Sequence, residues 1–120
     1  MAKATGIGGI FFRARDTAAL KAWYLEHLGI TDPPWFVEAG VTVFEPFKHD
    51  TDYFPADKQF MINLRVDNLA ELKQQLAAKG IPVETRAEWD TMPEIGQFAR
   101  IVDPEGNNIE LWEPAKPPAA

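Results

Sequence analysis

Few side chains in this sequence offer chemistry. It has no cysteine and two histidines, His27 and His49, which excludes a thiol nucleophile, a thiolate metal site and a disulfide. Any metal would need those imidazoles together with carboxylates. The best-placed carboxylate is Glu110, in the stretch DPEGNNIELWEP that runs from Asp103 to Pro114. Strand alternation there sets Glu110 on the face opposite Ile109 and Leu111. Covered by Phe44, Met61 and Trp112, it would be desolvated and suited to act as general base on an acidic C–H, or as general acid. A buried Glu paired with an arginine would look the same.

His27 shares a helical stripe with Leu20 and Tyr24, which reads as a residue at the edge of a core rather than a ligand. His49 stands beside Asp50 and Asp52 in a polar stretch, where such clusters are usually solvated. Arg13 and Arg65, with Phe11, Phe44, Asn63 and Trp112 on the same mixed strand faces, form the second constellation. Two guanidiniums with aromatic neighbours can hold a planar or carboxylate-bearing ligand by bidentate hydrogen bonds and stacking. Alternatively both arginines reach water from strand ends, or pair with Glu110 or Asp67 and serve stability alone.

These groups need elements to position them, and the chain supplies the elements twice. The segment starting at Gly9 lies over the segment starting at Met61, setting Arg13 opposite Arg65, Leu20 opposite Leu72 and Lys21 opposite Lys73. Further on, VTVFEP (41–46) lies over IELWEP (109–114) in the same order, as two copies of one supersecondary unit would. Each copy opens with a period of two, in Ile10, Phe12 and Ala14 and again in Ile62, Leu64 and Val66. A helix follows in each. The first carries Leu20, Trp23, Tyr24 and Leu28, with Asp16 or Thr17 as N-cap and Gly29 as stop; the second carries Leu69, Leu72 and Leu76, with Asn68 and Glu71 at capping-box spacing and Gly80 as stop. Further strands are predicted at 35–37 and 41–44 in the first copy, and at 83–85, 98–102 and 108–112 in the second. Pro104 and Gly106 make 103–107 a tight turn.

The fold class is therefore α+β in a single domain. Unit one runs from about residue 6 to 47, a polar linker from about 48 to 58, unit two from about 59 to 114, and a Pro-rich tail over 115–120 is expected to fray. With 46% hydrophobic and 12% aromatic residues, 120 residues can bury a core. The net charge of −6 comes from 12 basic and 18 acidic side chains scattered along the chain, leaving no basic patch for nucleic acid. No apolar run can cross a bilayer and the start lacks a signal-peptide pattern, so no membrane partner and a cytoplasmic location are expected.

Two βαβββ units, a DP-x-GN turn and the following IEL strand together resemble the vicinal oxygen chelate superfamily, which includes glyoxalase I, bleomycin-resistance proteins and extradiol dioxygenases. The resemblance spans about Gly6 to Pro114. It implies two units curving into one mixed-sheet cup with helices outside and a small-molecule ligand inside. It also implies a homodimer whose pairing completes the sites. In metal-dependent members the ligands come from the opening and late strands of each unit. Those positions fall here on Gly9, Thr42, Met61 and Glu110. Only Glu110 keeps a hard donor; a thioether suits neither Mg²⁺, Mn²⁺ nor ordinary Zn²⁺ chemistry. No cofactor is expected, and a divalent metal is not favoured.

Two functions remain open. One is a bleomycin-resistance-like protein binding a small organic ligand, anions included, in the cup without the family metal site. The other is a lyase or isomerase of glyoxalase type, with or without metal, using Glu110. A purely structural domain is disfavoured by the mixed, partly charged concave faces.

Overall fold

A computed structural model of the chain describes residues 2–116. Two helices and a three-stranded mixed sheet form its ordered body, which makes it an α+β protein. Helix α1 spans Thr17–Leu28 and helix α2 spans Leu69–Ala78. Strands β1 (Ile62–Arg65), β2 (Gly96–Val102) and β3 (Asn108–Pro114) are ordered β1-β3-β2. β1 runs parallel to β3, and β2 runs antiparallel to it. A short 3₁₀ turn, Ala87–Asp90, precedes β2.

Both helices begin where the sequence reading puts them. The Asp16 carboxylate accepts from the Ala19 N–H at 3.0 Å, and Asn68 Oδ1 accepts from the Glu71 N–H at 3.0 Å, each satisfying an otherwise orphaned first-turn donor. Gly29 closes α1 at φ 70, a conformation that costs a Cβ-bearing residue. Strand side chains add further caps. Glu105, in the turn between β2 and β3, accepts from the backbone N–H groups of Arg15 and Asp16, both at 3.0 Å. Glu113 of β3 accepts from Leu69 N–H at 2.7 Å.

One face of the sheet carries Ala99, Ile101, Ile109 and Leu111, which pack with Leu20, Tyr24, Leu69 and Leu76 from the helices. Fully burying a side chain of this size contributes about 1.5–3 kcal/mol, so this layer supplies most of the cohesion. Tyr24 also donates its hydroxyl to Asp103 Oδ2 at 2.6 Å. That bond ties α1 to the β2–β3 turn, where Asp103 also accepts from the Glu105 and Asn107 N–H groups. The opposite face of the sheet carries Asn63 and Arg65 from β1, Phe98 and Arg100 from β2, and Glu110 and Trp112 from β3.

The helix and the strands expected at 98–102 and 108–112 form, whereas residues 83–85 contribute a single bridge, Glu84 to Arg100. The first unit differs more. Among the described residues, 6–14 and 35–47 are extended but pair with no strand, and their apolar side chains lie open, with Phe11 94% and Phe44 88% exposed. A period of two makes a segment suited to a sheet but supplies no neighbour. The tail expected to fray lies outside the described residues from 117 onward.

Candidate functional site

Glu110 sits in the middle strand, 6% exposed, and both its oxygens are engaged. The Tyr53 hydroxyl donates to Oε2 at 2.5 Å, and Asn63 Nδ2 donates to Oε1 at 2.6 Å. The parallel register that sets Asn63 directly opposite Glu110 explains the second bond. The first comes from the stretch 48–58, expected to be only a linker, which folds onto the polar face of the sheet. Tyr53 holds its proton firmly: burial first, then the hydrogen bond to Glu110 and that residue's charge, push the phenol well above its ordinary range, while Arg100 opposes the shift.

Arg100 on the same face is also buried, 7% exposed. Its guanidinium lies 4.9 Å from the centre of the Tyr53 ring and 5.1 Å from that of Trp89, near enough for cation–π attraction. Trp89 takes a second cation, Arg86, at 5.3 Å. Phe47 packs against Tyr53 and Phe54 at 5.5 and 5.8 Å. On the neighbouring part of the same face Phe98 and Trp112 stack 4° from parallel, and Trp112 Nε1 donates to the Ile95 carbonyl at 2.9 Å. An open cavity of about 470 Å³ is lined by Asp50 to Ala56, Arg100 and Asn108.

Of the residues singled out from sequence, Glu110, Asn63 and Trp112 share this face, with Glu110 and Asn63 in direct contact. Arg65 is also on β1, but its Nη2 donates to the Glu38 carbonyl at 2.9 Å, and its guanidinium lies against Gly40, where a β-carbon would overlap it. Arg13, Phe11 and Phe44 are exposed on the unpaired segments, so Phe44 does not cover Glu110. His27 packs against Trp23 on α1, ring centres 5.2 Å apart. Tyr53, Trp89 and Arg100 are not foreseen from sequence. Arg100 has a readable signal: counting equally outward from the 103–107 turn sets it opposite Glu110, as the ladder does.

Four positions are those that the resemblance assigns to metal ligands. Gly9 offers no side chain, Met61 offers a soft thioether, and Thr42 lies on an unpaired exposed segment. Both Glu110 oxygens accept bonds from uncharged donors. Among the described residues no three His, Asp or Glu side chains gather as a metal would require.

Comparison with known proteins gives a fold and no family. No family model matches the chain, and no curated protein matches it. The crystal structure of TnmS3, an antibiotic binding protein from Streptomyces sp. CB03234, is similar with a TM-score of 0.50 and 21% identity, covering 83% of this chain and 88% of that one. At that identity the likeness concerns the fold alone. Among the described residues no helix is long and apolar enough to cross a membrane.

Proposed function

We propose that the chain is a small-molecule-binding protein of the vicinal oxygen chelate superfamily, closest in kind to its bleomycin-resistance members, and that it binds without a metal. The observation that carries this reading is the state of Glu110: buried, with both oxygens held by Tyr53 and Asn63 beneath a layer of aromatic rings. A buried carboxylate held on one oxygen by Tyr53 and on the other by Asn63 is fixed in orientation, as a structural part of a binding wall would be. The fold likeness to an antibiotic binding protein agrees with this reading.

The working form is a homodimer in which the two units complete the cup. Support comes from the segments 6–14 and 35–47, which expose Ile10, Phe11, Phe36, Val43 and Phe44. Exposed apolar side chains in this number suit an interaction site, and one copy alone leaves them uncovered. A second chain would cover them and bring Arg13 and the first-unit aromatics into the lining.

A thermal-shift screen of neutral and charged aromatic compounds, run beside light-scattering mass measurement, tests both parts. Compounds that raise the melting temperature of a dimer support the reading, and Phe44→Ser is expected to weaken the dimer. A monomer at micromolar concentration removes the dimer. Turnover of a 2-oxoaldehyde hemithioacetal that Glu110→Gln abolishes would replace the binding reading with the lyase or isomerase one.

A further inference from the structure

Arg100 brings a guanidinium into the interior, and a buried charge needs a partner. The carboxylates next to it in the sheet are committed elsewhere. Glu110, its partner across the β2–β3 ladder, accepts from Tyr53 and Asn63. Glu84, its partner in the bridge, takes Nε and Nη2 of Arg86 at 3.1 and 2.9 Å. The rings of Tyr53 and Trp89 lie 4.9 and 5.1 Å from the Arg100 guanidinium carbon, close enough for cation–π attraction but not a substitute for a charged acceptor. Nε and Nη2 of Arg100 are buried and have no hydrogen-bond partner. A native fold seldom leaves two charged donors in that state.

Nε and Nη2 are adjacent and parallel, which is the fork that a carboxylate occupies with both oxygens. Arg100 also lines the cavity of about 470 Å³ together with loop 50–56. We propose that Arg100 anchors the carboxylate of a small aromatic monocarboxylic acid in this cavity, its ring packing against Tyr53 and Phe54. This rests on the small-molecule-binding reading above and names the ligand class for that site. A single carboxylate on a flat apolar body fits better than phosphate: the chain's net charge of −6 and the exposed Asp50 and Asp52 at the rim repel a free dianion. The fork is closed to solvent, so binding the acid requires side chains around Arg100 to shift.

The test is a titration of the full chain with 2-naphthoate, 2-naphthamide and inorganic phosphate, followed by tryptophan fluorescence and calorimetry. Naphthoate is expected to bind saturably, naphthamide and phosphate at least about tenfold more weakly, the cost of losing a charge-assisted fork. Arg100→Gln should lose about the same factor for naphthoate and bring its affinity close to that of naphthamide. Naphthamide or phosphate binding as tightly as naphthoate overturns the proposal but leaves the small-molecule reading standing, as does naphthoate binding unchanged in Arg100→Gln. If none of the three binds and the wider screen finds no compound, both fall. Should Arg100→Gln fail to fold by circular dichroism, the acid-to-amide ratio on the parent chain decides, with the amide equal to the acid as the overturning result.

Discussion

Arg100 and Glu110 face each other across the β2–β3 ladder, yet the Glu110 carboxylate is bonded to Tyr53 and Asn63 rather than to the guanidinium. The Tyr53 ring bridges the two charges, donating its hydroxyl to one and offering its face to the other. A loop residue thereby holds together what the sheet register sets side by side.

Tyr53→Phe should keep the stacking and lose the bond to Glu110. A hydrogen bond to a charged group contributes about 1.5–3 kcal/mol, so urea unfolding should show a loss of that order. A stability equal to the parent's would mean that the loop does not rest on Glu110.

Both tyrosines of the chain resist ionisation. In Tyr24 burial acts first, then the hydrogen bond to Asp103 and that residue's charge; in Tyr53 burial again leads, followed by Glu110. Each phenol is raised in the folded state above the unfolded value near 10. The folded chain therefore holds more protons than the unfolded chain above that pH, and stability falls as pH rises past it. Absorbance at about 295 nm, where tyrosinate absorbs, should stay flat through the ordinary phenol range and rise only with unfolding. A transition near pH 10 in the folded protein would contradict both contacts.

At the acid end the relevant group is Glu105, whose carboxyl is held below its usual 4.5 by the backbone N–H groups of Arg15 and then Asp16. Its contribution is present above the unfolded value and is lost as pH falls through the depressed one. Melting temperature followed from pH 6 downward should therefore drop below about 4.5, with a shallower slope in Glu105→Gln. Parallel slopes would show that the cap on α1 is inert.

Gly96 has φ 123, and a β-carbon there would run into the Glu113 carbonyl and the Trp112 indole. Gly96→Ala should cost at least about 1–3 kcal/mol and release the Trp112 bond to Ile95. Denaturant melts with tryptophan emission report both effects, and an unshifted emission in a stable variant would contradict the close approach.

Much of the second unit is legible in the sequence because its signals are local. Asn68 and Gly80 bracket α2, and Pro104 with Gly106 turns β2 into β3; Glu110 then follows by alternation. The rest of the site depends on tertiary docking. Nothing in the composition of residues 48–58 distinguishes a solvated linker from a loop that buries Tyr53 against the sheet. Trp89 lies in a 3₁₀ turn too short to carry a periodic signal. In the first unit Val41 and Val43 alternate as a strand should, but alternation reports which face a residue would take, not whether a neighbouring strand exists.

Glu105 reaches back across 89 residues to the Asp16 N–H, and Asp103 across 79 to Tyr24. Helix α1 therefore has no dock until the last quarter of the chain is made. During synthesis its apolar stripe and the segments on either side leave the ribosome well before their anchors, an interval in which long-range contacts are slow to form and exposed surface aggregates. Soluble yield in a cell should therefore respond to the pace of translation and the supply of chaperones as well as to the stability of the finished fold.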